Sequence, residues 1–175
     1  MSLDNLAIVM RELGQLENAL TSNLKAVSLF REITHDRPDA FTPDLARSLI
    51  NLAVMQSALG KHESSLAAAQ EAASLYHELA RQRPEVFIPD LANSLIVLAL
   101  QNYHLSDIAK ALELAHNALK TLRAPFVASP HAHKGLMAPI LRDYLHLCED
   151  ANQEPDHGLL AEITPYFSPP SEPKD

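Results

Sequence analysis

The side chains of this sequence most able to do chemistry are its histidines, its one cysteine and their neighbouring carboxylates, and their spacing builds no site. Nine histidines are spread over 175 residues. His131 and His133 lie two apart in a proline-flanked stretch. His146 and Cys148 are also two apart, a spacing that turns side chains to different faces of a helix. Neither pair brings a third and fourth ligand at a metal-site spacing, so both are expected to be surface or packing residues and no metal is expected. His77 and Glu78 begin like a zinc-protease helix, but Arg81 stands where the second histidine would be needed. With only four glycines in the chain there is no Gly-rich phosphate loop, and no nucleophile elbow is present. No convergent acid, base or nucleophile set appears, so the expectation is a non-enzyme without cofactors.

The elements that would position any site come from a tandem repeat. Arg37, Pro38, Phe41, Pro43, Asp44, Leu45, Ala46, Ser48, Leu49 and Ile50 recur as Arg83, Pro84, Phe87, Pro89, Asp90, Leu91, Ala92, Ser94, Leu95 and Ile96, every pair 46 apart. A partial copy precedes them: Ser48, Asn51, Leu52, Ala53, Leu59, Gly60 and Ala72 map onto Ser2, Asn5, Leu6, Ala7, Leu13, Gly14 and Ala26. A period of this length means stacked supersecondary units that share their apolar faces with their neighbours.

Helical spacing fills in the units. The first holds a helix over 2–13 with Leu3, Leu6, Ala7, Met10 and Leu13 on one face, a turn at Gly14, and a helix over 16–34. A linker over 36–42 follows, closed by Thr42 as N-cap with Pro43 in the first helical position and Asp44 in the first turn. The second unit predicts helices over 43–59 and 62–81 around Gly60, the third helices over 89–103 and 107–122 with Ser106 as N-cap. Phe41 and Phe87 are expected to pin the linkers between units.

After Arg123 the repeat text fails. Residues 124–135 read as a loop and a helix resumes over 136–151, starting near Met137 or kinked at Pro139, with Leu141, Tyr144, Leu145 and Cys148 inward. A short helix over 156–163 follows, and 168–175 is expected to be disordered. The expected organisation is therefore all-α: three helical hairpins over 1–124 (1–36, 37–82 and 83–124), C-terminal capping helices over 125–167, and a tail. Together they form an α-solenoid of antiparallel helix pairs.

A net charge of −8 disfavours nucleic acid and anionic membranes as partners. No apolar run approaches a membrane span, the first residues lack a signal peptide's basic start, and one cysteine cannot form an internal disulfide, so a cytoplasmic location is expected.

These residues resemble the tetratricopeptide repeat family, whose pattern sets a leucine and a small residue in the first helix, then a turn glycine, then two small residues where the helices cross. The matching positions are Leu6, Ala7, Gly14, Ala19 and Ala26; Leu52, Ala53, Gly60, Ser65 and Ala72; and Leu98, Ala99, Ser106, Ala111 and Ala118. The large aromatics of the pattern are absent, with Met10, Gln56 and Asn102 in one of their places. The long repeat resembles those of kinesin light chain, and the Phe-x-Pro-Asp-Leu-Ala text resembles fungal arrays that often follow a nucleotide-binding (NACHT) or caspase-like domain.

The resemblance implies a protein-interaction scaffold whose first helices line a concave groove for a peptide or helix of another protein. In that groove it places Asn5 and Asn51, with a gap at Val97; related long repeats use an asparagine there to bond an extended peptide backbone. Arg11, Arg47, Asn93 and Tyr103 fall on or near the same face, where an arginine could clamp a carboxylate. The other implied reading is a spacer or sensor within a longer multidomain chain. An uncovered first helix is further expected to self-associate or to pack on an upstream domain.

Overall fold

The computed structural model describes the backbone of residues 3–167 and the side chains of 14–167. Within it lie helices α1 (Leu3–Asp36), α2 (Pro38–Ala58), α3 (His62–Gln82), α4 (Pro84–His104), α5 (Ile108–Ala128), α6 (Pro130–Asp150) and α7 (His157–Ile163), then a 3-10 turn, Thr164–Tyr166. The expected tail over 168–175 lies outside the described residues.

Helices α2 to α6 are 21 residues each, and their ends repeat with the period of the sequence. Pro38, Pro84 and Pro130 each open a helix, where a missing N–H costs nothing. The residues before them, Arg37, Arg83 and Ser129, share φ near −140° (−139°, −138° and −145°) and ψ near 70° (70°, 72° and 73°). At the far ends Gly60, Ser106 and Asn152 take left-handed φ of 71°, 65° and 50°. The backbone therefore keeps the repeat through α6, well past the point where the side-chain text stops matching.

Several expected boundaries move for one reason. Pro43 and Pro89 are not first helical residues but sit inside α2 and α4; of the linker expected over 36–42, Asp36 ends α1, Arg37 is the break, and 38–42 open α2. Thr42 does not cap; its hydroxyl donates to the Pro38 carbonyl at 2.7 Å. Likewise the loop expected over 124–135 is helix on both sides of Ser129, with Pro125 inside α5 and Pro139 inside α6. An internal proline removes one bond to the carbonyl four residues back. For Pro43, Pro89 and Pro139 that carbonyl belongs to exposed Asp39, Glu85 or Gly135, where water can accept the task. Ser106 supplies the turn instead of the cap, which falls to Asp107, accepting from Lys110 N at 3.1 Å.

Helix α1 departs further. No turn forms at Gly14; the helix runs straight through it, because a glycine in a helix costs only about 1 kcal/mol and the flanking residues are good helix formers. The stripe expected on 3–13 lies outside the described side chains.

Consecutive helices pack antiparallel, α1 on α2 through to α5 on α6, and one continuous apolar core threads the stack. Small residues make the close crossings: Ser65, Ala69 and Ala72 of α3, and Ala111, Ala115 and Ala118 of α5, are completely buried. Ser65 Oγ donates to the Ala53 carbonyl across the α2–α3 hairpin at 2.5 Å. Phe87 is buried while Phe41 is half-buried, and the Arg83 guanidinium lies 5.4 Å from the Phe87 ring centroid. Helix α2 also packs directly on α4, and α4 on α6, so these three form the inner row of the curve. On the outer row α1 reaches α3 through a long pair, Arg31 to Glu71, at 2.5 Å. At the C-terminal end Phe126 of α5 is fully buried under Tyr166 and Phe167, and α7 packs on α5.

Candidate functional site

The inner row carries one helical face per unit. On α2 it reads Arg47, Asn51, Val54 and Ala58; on α4 the residues 46 further on are Asn93, Val97, Leu100 and His104; on α6 they are Pro139, Asp143, His146 and Asp150. Between α2 and α4 this face sinks into a groove of about 380 Å³ lined by Val54, Ser57, Ala58, Val97, Leu100 and Gln101, with His104 at its edge. Val54 is 52 % exposed, far more than its apolar side chain favours.

Gln101 lies in the wall of this groove and is 3 % exposed. Its Nε2 donates to the Val97 carbonyl at 3.3 Å, which fixes the amide orientation, and leaves Oε1 without a hydrogen-bond partner among the described residues. A buried acceptor left in that state costs about 1–3 kcal/mol. A ligand donor would relieve it.

The residues expected to line the groove fall on both sides of it. Asn51 is exposed one turn from Val54, and Arg47 one turn further, bonded to Asp44. Asn93 is half-buried on α4. Tyr103 turns toward α6, donating to Asp150 Oδ2 at 2.7 Å, a bond that raises the Tyr103 phenol above its ordinary value. Asn5 and Arg11 lie outside the described side chains. The structure thus brings Arg47 and Asn51 to one face, and gives Tyr103 a bond between α4 and α6.

Val54, Leu100 and Gln101 did not come out of the sequence reading. The signal was there for Gln101: the equivalent positions are Met55 and Leu147, so a polar residue interrupts an apolar position.

Histidines gather at the groove edge. His62 and His104 stack with ring centroids 5.0 Å apart, and burial, with the His62 charge second, pulls the His104 imidazole below its ordinary value. Among the described residues no group of three or more histidine, cysteine or carboxylate side chains is placed to hold a metal ion. His146 is exposed while Cys148 is buried, as their spacing requires. Glu78 is occupied by Arg81, whose Nε and Nη2 donate to it at 3.1 and 2.5 Å; these bonds, with Gln82, hold its carboxyl at about 2.

No family model matches the chain, and no curated protein matches it. Among solved structures it is similar to the crystal structure of BtubC (BKLC) from P. vanneervenii, with a TM-score of 0.61 and 22 % identity. The match covers 87 % of this chain and 57 % of that one. The chain is a TPR-like α-solenoid. Paired antiparallel helices form the body of this solenoid, and a distinct C-terminal helix closes it. No helix among the described residues is long and apolar enough to cross a membrane.

Proposed function

We propose that this solenoid is a non-catalytic interaction module that takes a peptide or an amphipathic helix of another protein in the groove between α2 and α4. The observation that carries the reading is the unpartnered Gln101 Oε1 in the wall of an otherwise apolar groove beside exposed Val54. An apolar ligand side chain fits between Val54 and Leu100, and a ligand N–H satisfies Gln101. The Asn51 carboxamide, one turn along, both donates and accepts as a peptide unit does. Arg47 beyond it favours an acidic residue or a terminal carboxylate.

The test is a peptide array containing acidic and free-carboxylate series, screened with wild type, Val54→Asp, Gln101→Leu and the double variant Arg47→Ala/Asn51→Ala. Gln101→Leu removes the orphaned acceptor, so it should raise the stability of the free module and still weaken peptide binding at least tenfold. Val54→Asp should abolish binding, and the double variant should lose the preference for acidic peptides. Binding unchanged in all three would remove the groove from consideration.

A further inference from the structure

Helices α1 and α3 flank α2 as α3 and α5 flank α4, and the two inner helices carry the same leucines 46 residues apart: Leu45, Leu49 and Leu52, then Leu91, Leu95 and Leu98. Leu45 and Leu49 are buried, at 6 % and 0 % exposure. Leu91 and Leu95 are only half-buried, and with Leu98 they floor an open groove of about 780 Å³ between α3 and α5. The leucines are identical, so the difference lies in what stands over them.

Over the first set stand Val27 of α1, in one core with Leu45 and Leu49, and Leu75 of α3, packed against that core. The residues 46 further on are Ala73 and Thr121, both in the wall of the groove. Val27 to Ala73 loses two methyl groups, and Leu75 to Thr121 exchanges an isobutyl group for a short polar one. Beyond the groove, Leu119 of α5 takes the Ala73 position and Met137 of α6 the Leu91 position, and both are completely buried. Aliphatic cover is therefore present on either side and missing over α4 alone.

We infer that this cover comes from a partner: an amphipathic helix of another protein lies between α3 and α5 and brings aliphatic side chains to the places that Ala73 and Thr121 leave empty. The floor leucines are spaced four and three apart, so they span about 10 Å of α4, the length over which a helix presents anchors at i, i+4 and i+7. Gln70 and Ser74 on one rim and Asn117 on the other offer hydrogen bonds to the polar flanks of such a helix. Lys120 sets its charge. It is exposed, it has no salt-bridge partner among the described residues, and no carboxylate is among the residues lining the groove. In a chain of net charge −8 this is a local reversal of sign, and it selects a helix with an acidic residue beside its anchors. Helical spacing puts Leu91, Leu95 and Leu98 on the side of α4 opposite Leu100 and His104, so this groove is separate from the one between α2 and α4.

The test uses the full chain and two probes: the anionic dye anilinonaphthalene sulfonate, and hydrocarbon-stapled helical peptides with leucine at i, i+4 and i+7 flanked by glutamate or by lysine. Wild type should brighten the dye and bind the glutamate peptide. Ala73→Val/Thr121→Leu, which restores the side chains found over α2, should raise the melting temperature, dim the dye and weaken the peptide by about tenfold or more. Lys120→Glu changes one exposed side chain. It should keep the wild-type melting temperature, weaken the glutamate peptide about fivefold and strengthen the lysine peptide. On a Val54→Asp background, which removes the α2–α4 groove, all of these results should persist. Undiminished peptide binding by the filled variant overturns the site. So does peptide binding that disappears with Val54→Asp, which would place the peptide in the other groove, and dye binding without any peptide binding rules out a helix as the occupant.

Discussion

Gly60 and Ser106 hold the same left-handed backbone 46 residues apart, at φ 71° and 65°, and each turns an inner helix back onto its outer partner. Only the glycine does so without strain, since a Cβ in that region crowds the following carbonyl. Ser106 is exposed, so its side chain brings little packing in return. Ser106→Gly should therefore raise stability by about 1 kcal/mol, read as a shift in the urea midpoint with an unchanged slope. Gly60→Ala should lower it by a similar amount through backbone strain alone, because nothing lies within 4 Å of the added Cβ.

Phe126 fastens the C-terminal end. It is completely buried, edge-on to Tyr166 at 5.3 Å and stacked on Phe167 at 5.7 Å. Lys134 adds its ammonium 5.2 Å from the Phe167 ring centroid and a bond to the Tyr166 carbonyl at 3.1 Å. Phe126→Ala removes the ring these side chains rest on and should cost about 3–5 kcal/mol. Amide exchange resolved by helix should then show α7 and the end of α5 losing protection before α2 and α3 do.

The His62–His104 stack makes stability depend on pH. His104 binds its proton less readily in the folded chain than the ordinary value of 6.5, because burial disfavours the cation and a charged His62 repels it. The unfolded chain therefore takes up the proton first. The contribution is fully present above about pH 6.5 and is lost as pH falls through the lower folded value, below which it levels off. His104→Gln should flatten this part of a melting-temperature profile. A separate acid limb belongs to Asp156, whose carboxyl is held below its ordinary 3.8 by the Leu159 N–H and then by His116. That stability is present above about pH 3.8 and disappears as pH falls through the depressed value, so His104→Gln should leave this limb untouched.

The paired-helix stack was legible because matching text at a single offset of 46 residues fixes a period, and a period fixes an architecture. Helix starts were misread where two prolines compete: the rule that proline opens a helix holds, but at Pro38 and Pro84 instead of Pro43 and Pro89. Pro130, 46 residues past Pro84, carried the same signal for α6 and was lost in a stretch whose other side chains no longer match. The Gly14 turn was misjudged because glycine permits a left-handed turn without requiring one. The face that carries the α2–α4 groove was only partly named in the sequence. Asn51 was named through the resemblance and Arg47 by helical spacing beside it, but an acceptor stranded by its own amide, as in Gln101, depends on how α2 and α4 meet and has no mark in a single helix.

The outer row offers a last prediction, in salt. Arg31 and Glu71 bridge α1 to α3 at 2.5 Å, and Arg123 with Glu162 bridges α5 to α7 at 2.7 Å. The corresponding residues between α3 and α5, 46 after Arg31 and Glu71, are His77 and Asn117. They flank an open groove of about 780 Å³ whose floor is Leu91, Leu95 and Leu98. His77→Arg with Asn117→Glu should restore the bridge over that floor. Both bridging pairs are well exposed, so the gain from a third is bounded at about 1 kcal/mol, and screening should remove most of it in molar salt. Either single change should give less than half of the double, since each alone adds a charge without its partner. A double-mutant cycle at low and high ionic strength reads both expectations at once; additive singles would mean that α3 and α5 stand too far apart at this rung to be joined.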